Sequence, residues 1–563
     1  MANFTISEPL FLVPCNGNEQ EKRILDDFVR LLEESGAFRI IEESAAKESH
    51  DSGPGRPRYD SRLLLLLLLY GFSQADCSLR ELQDSCRYDL RFLYLSSGNV
   101  PSYTTFCDFI NRIYLPVSNR LYQVITEKIA QKMSISILDR VYIDGSKFEA
   151  NANKYKFRFK SEKRRSNLFQ RFCELMKTAE IIVPSETESK KMTKTMDSFL
   201  ESLKESIEKT GKKVEEIKTG RGIRNDAKER AYVRGNAMLL KMKEYDETES
   251  ICGSGRNSYY LTDHDATVMC LKEDYYSGLG SNMHAAYNVQ YAVSDGLILA
   301  ILVSQDRSDS RTFPKLLKKI KEMYGKYPNN VCADSGYGSA TNYDFIRKEG
   351  IGNFVKFATW QKEISGEKPP KYRFVEGKVV CLCGRELTRT ENGGKKPRSP
   401  RYSFYLADCR GCPYKKYCNK ERKNKRSASK IFEIDLETLK SKEEARENLK
   451  SVEGIESRVN RSIQAEGSFG IMKQDKGYSR FRRRGLGKTD VEMQLNCIGL
   501  NLAKYIRFLR NGKAPEYWKA PAGTKPEEEH EMSRTIKKGG KKAPKKQPNQ
   551  KAKKYKYKKT EMQ

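Results

Sequence analysis

Residues 284–357 constrain the fold more tightly than any other stretch of the chain. HAAYNVQYAVS and LILAILVS are runs of strand length, rich in β-branched and aromatic residues. They are joined at Asp295-Gly296, a dipeptide suited to a two-residue hairpin turn. RTFPKLLKKIKEMYG then carries apolar residues at helical spacing. NNVCADSGYG reads as a short strand running into Asp334 and a glycine turn, NYDFIRKEG as a helix closed by Gly350, and NFVKF as a further strand. Two paired strands followed by strands separated by helices predict an α/β fold, a mixed sheet covered by helices.

The rest of the chain arranges itself around that pattern. DRVYIDGSKFEA, residues 139–150, reads as another strand, one whose end carries Asp144. Upstream, Ile24, Phe28, Leu31 and Leu32 recur at helical spacing, and Ser78 to Glu81 has the form of a capping box. A further helix is expected near Ser102. Leu63–Leu69 is too short to span a bilayer, which takes roughly 20 apolar residues, and reads as a buried core helix. These short helices suit either a helix-turn-helix DNA reader or a plain bundle. Between the two strand regions the chain is highly charged, with Phe199, Leu203 and Ile207 and then Val214 and Ile217 suggesting a helical hairpin or coiled insertion.

Seven segments follow. They are a helical N-terminal domain (1–125), the first part of the core (135–153), a charged helical insertion (154–255) and the second part of the core (256–365). After them come a Cys-rich insertion (366–450), the C-terminal part of the core (451–515) and a Lys-rich tail (516–563). Lys537–Lys559 holds twelve lysines and no acid, a self-repelling block that suits a disordered solubilising tail or a nonspecific DNA-binding arm.

The chain of 563 residues has a formal net charge of +31. Such a balance speaks of partners rather than fold. Nucleic acid comes first, because neutralising phosphates releases counterions; a membrane surface comes second, and charge alone also suits a ribosome-associated protein. The N-terminus MANFTISEPL lacks the basic start and apolar core of a signal peptide, so a cytoplasmic protein with reduced thiols is expected.

YIDGS and CADSGYGS each place an aspartate, Asp144 or Asp334, where a strand stops. Ligands of open α/β sheets bind in the crevice outside such strand ends. Phosphodiester cleavage can use two Mg²⁺ ions roughly 4 Å apart, and Mg²⁺ needs only a few hard oxygen ligands. Glu466 is the candidate third acid, in a helical segment with Lys473 two turns further on nearly the same face. The surrounding Arg461–Gly485 holds seven Lys and Arg against two acids.

YIDGSKFEANANKY, DHDATVM, AYNVQYAV, VCADSGYGS and RSIQAEGSFGIMKQDKGYSRFRRRGL together resemble the DDE transposases of bacterial insertion sequences. Within the IS-four/IS-five-like superfamily the chain is most similar to the insertion sequence eleven-eighty-two branch, over roughly residues 20–510. The resemblance implies an RNase H-like catalytic core, an N-terminal domain that reads the element's ends, and cut-and-paste chemistry with Mg²⁺ or Mn²⁺, two ions per site. It implies Asp144, Asp334 and Glu466 as first, second and third acids and metal ligands, with Lys473 completing a Glu-(six residues)-Lys motif. Its partners would be double-stranded DNA, at the terminal inverted repeats and at the target, met by a homodimer in a synaptic complex. The protein would be associated with the nucleoid when bound, and no membrane would be involved. The related signature has Tyr and Arg seven and four residues before the Glu; here Val459 and Ser462 stand there, with Arg458 and Arg461 beside them. Arg458, Arg461, Arg480, Arg482, Arg483 and Arg484 join Lys473 as expected DNA-binding residues. A non-catalytic DNA-binding relic and a basic RNA-binding protein are the alternatives.

Other groups invite a site reading. Asp263 and Asp265 can line the crevice or make turns, and Asp309 suits N-capping. His284, Asn288 and Gln290 alternate along one strand, giving a polar face that meets DNA or solvent. Cys381 or Cys383 with Cys409, Cys412 and Cys418 can supply the four ligands of a structural zinc ion, or remain reduced thiols.

Overall fold

The computed structural model describes residues 19–48, 58–74, 78–184, 188, 191–217, 220, 225–271, 283–367, 370–390, 401–405, 412 and 429–527. The Lys-rich run 537–559 lies outside them.

The architecture is mixed α/β. Strands β1 (Arg140–Glu149), β2 (Phe157–Phe159), β3 (Ser258–Tyr260) and β4 (Thr267–Cys270) are followed by β5 (Met283–Ser294), β6 (Leu297–Ser304), β7 (Asn330–Ala333) and β8 (Gly352–Val355). The main sheet runs β4-β5-β1-β7-β8, and β6 also pairs with β5. β4 and β6 lie end to end along one edge of β5, at Met283–Ala286 and Asn288–Ser294 respectively. β1 is central, antiparallel to β5 and parallel to β7. At the β5–β6 turn both Asp295 and Gly296 have positive φ, 43° and 80°, the backbone a type I′ hairpin needs.

The expectation that Asp144 ends its strand needs correcting. β1 continues to Glu149 because β5 pairs with it over Tyr142–Glu149. What stops at Asp144 is the parallel partner: pairing with β7 ends at Ile143 and Ala333.

Helices cover the sheet. Asp309–Tyr324 packs on β5 and β6, Val452–Arg461 on β1 and β7, and the long helix Leu486–Asn511 on β6. The N-terminal helices belong to the same core. All of Leu63–Leu69 is buried, in a helix, Ser61–Ser73, whose start is capped by Asp60. This helix lies on Leu486–Asn511 so closely that a Cβ at Gly499 would stand 2.1 Å from the Phe72 carbonyl oxygen. Phe28, Leu66, Ile125, Ile143, Val289, Leu317 and Leu495 share one hydrophobic cluster. The capping box forms: Glu81 N–H donates to Ser78 Oγ at 3.2 Å, and Ser78 N–H to Glu81 Oε2 at 2.7 Å. Ser102 likewise caps Tyr103–Asp108. Among the described residues no helix is long and apolar enough to cross a membrane.

The two insertions bury cores of their own. The first has three helices, Glu162–Lys177, Met192–Glu208 and Ala227–Cys252, closing on Phe172, Met176, Leu203 and Met242, among others. Its ends meet at a neck, where Lys160 N–H donates to Asn257 O at 2.9 Å and β2 pairs with β3. The second holds a hairpin (Tyr372–Val375 and Lys378–Cys381) and a three-stranded sheet (Thr388–Arg389, Arg401–Tyr405, Ser429–Glu433), with Val379, Leu387, Tyr402, Ile434 and Leu439 inside. The following helix, Leu436–Lys450, returns to the main sheet: Asn353 Nδ2 on β8 donates to Ser441 O, and Asn448 Nδ2 to Asn353 O.

Candidate active site

The register of two parallel strands builds the centre of the site. Ile143 and Ala333 are the last paired residues of β1 and β7, and the next residue on each strand is an aspartate. Neighbouring strands lie about 5 Å apart, so Asp144 and Asp334 emerge side by side at the notch where β7 ends. Gly336 N–H donates to Asp334 Oδ1 at 2.8 Å, which orients that carboxylate within its glycine turn.

Glu466 arrives from the helix laid over β1. The helical path from Val452 to Asp475 is interrupted by two π turns, Ser462–Glu466 and Ile471–Asp475. π turns are frequent at functional sites because the extra residue per turn rotates a side chain out of the α-helical phase. Here Arg461 and Glu466, five positions apart, are brought together: Arg461 Nη2 donates to Glu466 Oε1 at 2.5 Å. Ser462 Oγ donates to Glu466 Oε2 at 2.8 Å.

Arg461 links the acids. Its Nη1 is 3.6 Å from Asp144 Oδ1, and its side chain is 7% exposed. Nε and Nη1 are buried without a hydrogen-bond partner. Burial pushes the Asp144 carboxyl up to about 6; Arg461 opposes this, while Asp334 and Glu466 add to it. Burial works against the Arg461 charge, but the Asp144 and Glu466 carboxylates outweigh it and hold the guanidinium above its ordinary value. Lys356, at the end of β8, is lowered by burial and by Arg461. Asp334 acts the other way and favours its charged form.

The polar residues of β5 lie beneath the acids. Asn288 and Gln290 are fully buried, facing neither solvent nor a DNA surface. Gln290 Nε2 donates to Asn288 Oδ1 and Asp309 Oδ1, both at 3.0 Å, Asn288 Nδ2 donates to Asp309 Oδ1 at 2.8 Å, and Tyr337 Oη donates to Gln290 Oε1. Gly145 makes room, because a Cβ there would stand 2.2 Å from Gln290 Nε2. The side chain of Asp309, expected as an N-cap, caps nothing: the N-cap position of its helix is Ser308, and Asp309 turns to these amides.

Two family models match this chain. Residues 380–506 match a transposase DDE domain, and residues 18–112 match a transposase domain (DUF772). Both matches support a DDE transposase of insertion-sequence type. The first spans Glu466 and neither aspartate; the second covers most of the N-terminal helices. No curated protein and no solved structure matches the chain.

The other residues expected in a transposase site are dispersed. Lys473 Nζ donates to Lys147 O at 2.8 Å and lies over the Phe148 ring, fastening the Glu466 helix to β1. Arg458 pairs with Glu527 at 2.6 Å, over Trp360. The basic run is stitched to the far end of β1, where Glu149 N–H donates to Ser479 O and Phe481 N–H to Glu149 O. There Arg480 is half-exposed beside Glu149, Arg482 is exposed, Arg483 reaches Asn111, and Arg484 reaches Asn151 O. Five residues of strand, roughly 17 Å, separate this end from Asp144. Asp263 and Asp265 are structural. Asp263 is buried and accepts from Tyr287 Oη and Gly485 N–H, while Asp265 accepts from Leu486 N–H. His284 stands 3.7 Å from Glu149.

Among the thiols, Cys381 Sγ and Cys383 Sγ are 3.0 Å apart. Burial raises Cys383, yet hydrogen bonds from Cys381 and Cys412 help hold it below the usual thiol range. Cys409 and Cys418 lie outside the described residues.

The donor set of the crevice suits a hard divalent cation, since carboxylate oxygens predominate and their mutual repulsion favours one. As they stand, no group of three or more His, Cys, Asp or Glu among the described residues is gathered closely enough to hold an ion. Arg461 occupies the gap between Asp144 and Glu466.

Proposed function

We propose that this chain is the DNA transposase of an insertion sequence, in the IS-four/IS-five-like superfamily and nearest the insertion sequence eleven-eighty-two branch. The observation that carries this reading is the delivery of Asp144 and Asp334, side by side, from adjacent parallel strands to a crevice covered by the helix bearing Glu466. A central strand flanked by one antiparallel and one parallel neighbour supports an RNase H-like core.

In the proposed reaction, water attacks the phosphorus at the element end, the bond from phosphorus to the 3′-oxygen breaks, and a 3′-OH is freed. That 3′-OH then attacks a target phosphodiester and expels its 3′-oxygen. Bound Mg²⁺ or Mn²⁺ would lower the pKa of the attacking water and stabilise charge on the leaving oxygen. Asp144, Asp334 and Glu466 are the ligands for those ions. Arg461, whose Nε and Nη1 are buried without a hydrogen bond, is placed to meet a phosphate oxygen once the acids turn to the cations. The run Arg480–Arg484 holds the duplex backbone away from the reacting bond, where phosphate contacts position without reading sequence. The net charge of +31 suits duplex DNA at the terminal inverted repeats and the target. A homodimer would pair two ends in one synaptic complex.

The test is cleavage and strand transfer on a duplex carrying the inverted repeats that flank the reading frame, with Mg²⁺ present. Asp144→Asn, Asp334→Asn and Glu466→Gln are each expected to abolish both steps while end binding persists. Normal cleavage by any of the three would remove that residue from the assignment. Binding without cleavage by the unaltered chain would favour a non-catalytic relic.

A further inference from the structure

We infer that Asp309 is a fourth carboxylate of the reaction centre, a ligand for a divalent cation shared with Asp334. This inference rests on the metal-dependent reading above.

Asp309 is the first residue of the helix that follows β6. An acid there would ordinarily face solvent and interact with the helix dipole. Instead its Oδ1 accepts from two fully buried amides, Asn288 at 2.8 Å and Gln290 at 3.0 Å. Both amides are on β5, and Gln290 is paired in register with Gly145, the neighbour of Asp144. Pinning one carboxylate oxygen twice leaves the orientation of the other with little freedom. Oδ2 accepts no hydrogen bond among the described residues.

That second oxygen lies on the side of Asp334. The Cβ position of Gly336 lies 3.0 Å from Asp334 Oδ1 and 3.8 Å from Asp309 Oδ2, so the two carboxylates border one small volume. Tyr337 Oη donates to Gln290 Oε1, the amide whose Nε2 holds Asp309; burial raises this hydroxyl, and Asp309, Asp144 and Asp334 add to the rise. The only side-chain cation within 4 Å of Asp144 or Asp334 among the described residues is Arg461, which lies on Asp144. A half-buried acid held by two buried amides, with its other oxygen turned towards a second acid, suits a hard oxygen-seeking cation.

Asp309→Asn isolates the charge. The amide oxygen can still accept from Asn288 and Gln290, so the fold should survive, and only the anionic Oδ2 is lost. The measurement is Mn²⁺ binding to the full chain without DNA, by calorimetry or electron paramagnetic resonance. Asp144→Asn serves as a reference, and Asp306→Asn, an acid paired with Lys315, as a control. Asp309→Asn is expected to weaken Mn²⁺ about tenfold or more, and Asp306→Asn to leave it unchanged. If Asp144→Asn weakens the ion and Asp309→Asn does not, the inference about Asp309 is overturned while the reading of the site stands. If the unaltered chain binds no Mn²⁺, or Asp144→Asn has no effect, the metal reading itself fails and this inference with it. Asp309→Cys gives a second readout: cleavage lost with Mg²⁺ and restored with the softer Mn²⁺ supports direct ligation, whereas equal loss with both ions overturns it.

Discussion

Arg461 Nη1 stands 3.6 Å from Asp144 Oδ1, while Nη2 of the same guanidinium holds Glu466. A single buried cation thus spans the first and third acids of the proposed site. It balances their charge when no other cation does, and it competes for the carboxylate oxygens a divalent ion would use. Arg461→Met is therefore expected to raise Mn²⁺ affinity by about tenfold and to lower strand cleavage through lost phosphate contact. Parallel Mn²⁺ titrations of the two proteins check the first effect. An unchanged affinity would mean the guanidinium does not compete.

Gly145 is needed for lack of a side chain. A methyl group there would collide with the Gln290 amide, which ties Asn288, Asp309 and Tyr337 together. Gly145→Ala should cost about 1–3 kcal/mol of stability through overpacking and should reduce cleavage even though no acid is removed. Urea denaturation alongside a cleavage assay measures both. Unaltered values would show that the amide network yields without consequence.

Gly499 plays a comparable part far from the chemistry. Its contact with the Phe72 carbonyl lets the leucine helix lie on Leu486–Asn511. Backbone cannot move aside as a flexible side chain can. Gly499→Ala should therefore lower stability by about 2 kcal/mol or more, with the N-terminal helices losing hydrogen-exchange protection first.

Lys504 supplies a pH dependence. Its Nζ donates to Gly296 O in the β5–β6 turn, and Gly296 N–H donates to Gln464 in the π turn that carries Glu466. Burial, with help from Arg507, pushes the Lys504 ammonium down to about 8. A lysine with a depressed folded pKa binds its proton more weakly in the native state than unfolded. Its contribution to stability is therefore full above the unfolded pKa near 10.5 and is lost as pH falls through 8, a difference of up to about 3 kcal/mol. The stability of the unaltered chain relative to Lys504→Met should rise between pH 7.5 and pH 10. A flat difference in denaturation midpoints would contradict this.

The first insertion should be separable. Its neck closes at the Lys160 to Asn257 hydrogen bond, and its core residues form a cluster distinct from that of the sheet. Replacing residues 161–256 by a short Gly/Ser linker should leave a folded, cooperatively melting protein, because nearby ends make loop closure inexpensive. Loss of the sheet's circular-dichroism signal would show that the insertion supports the core.

Much of the sheet was legible from local pattern. The β5–β6 hairpin follows from two apolar runs and Asp295-Gly296, whose positive φ values depend on few neighbours. The caps at Ser78 and Ser102 are equally local, since a side chain there bonds to a backbone group three residues away. The aspartates that β1 and β7 bring together could be picked out because acid followed by a small residue interrupts each strand motif. Asp309 and Gln290 were not legible, because their partners are distant in sequence and an acid at a helix start has an ordinary local explanation. Arg461 was visible as a basic residue, but its burial against Asp144 was not.

The sequence by itself determined the main elements, their hairpin and their caps, and singled out Asp144, Asp334 and Glu466 as candidates, because each is written in residues close along the chain. Tertiary structure alone decided that the leucine helix joins the core of the sheet, that a π turn brings Glu466 to Arg461, and that Asp309 turns inward to two amides. The physical reason is common to all three. Each depends on burial and on charges that meet only when strands and helices distant in sequence are packed together, and no local period or spacing encodes such a meeting.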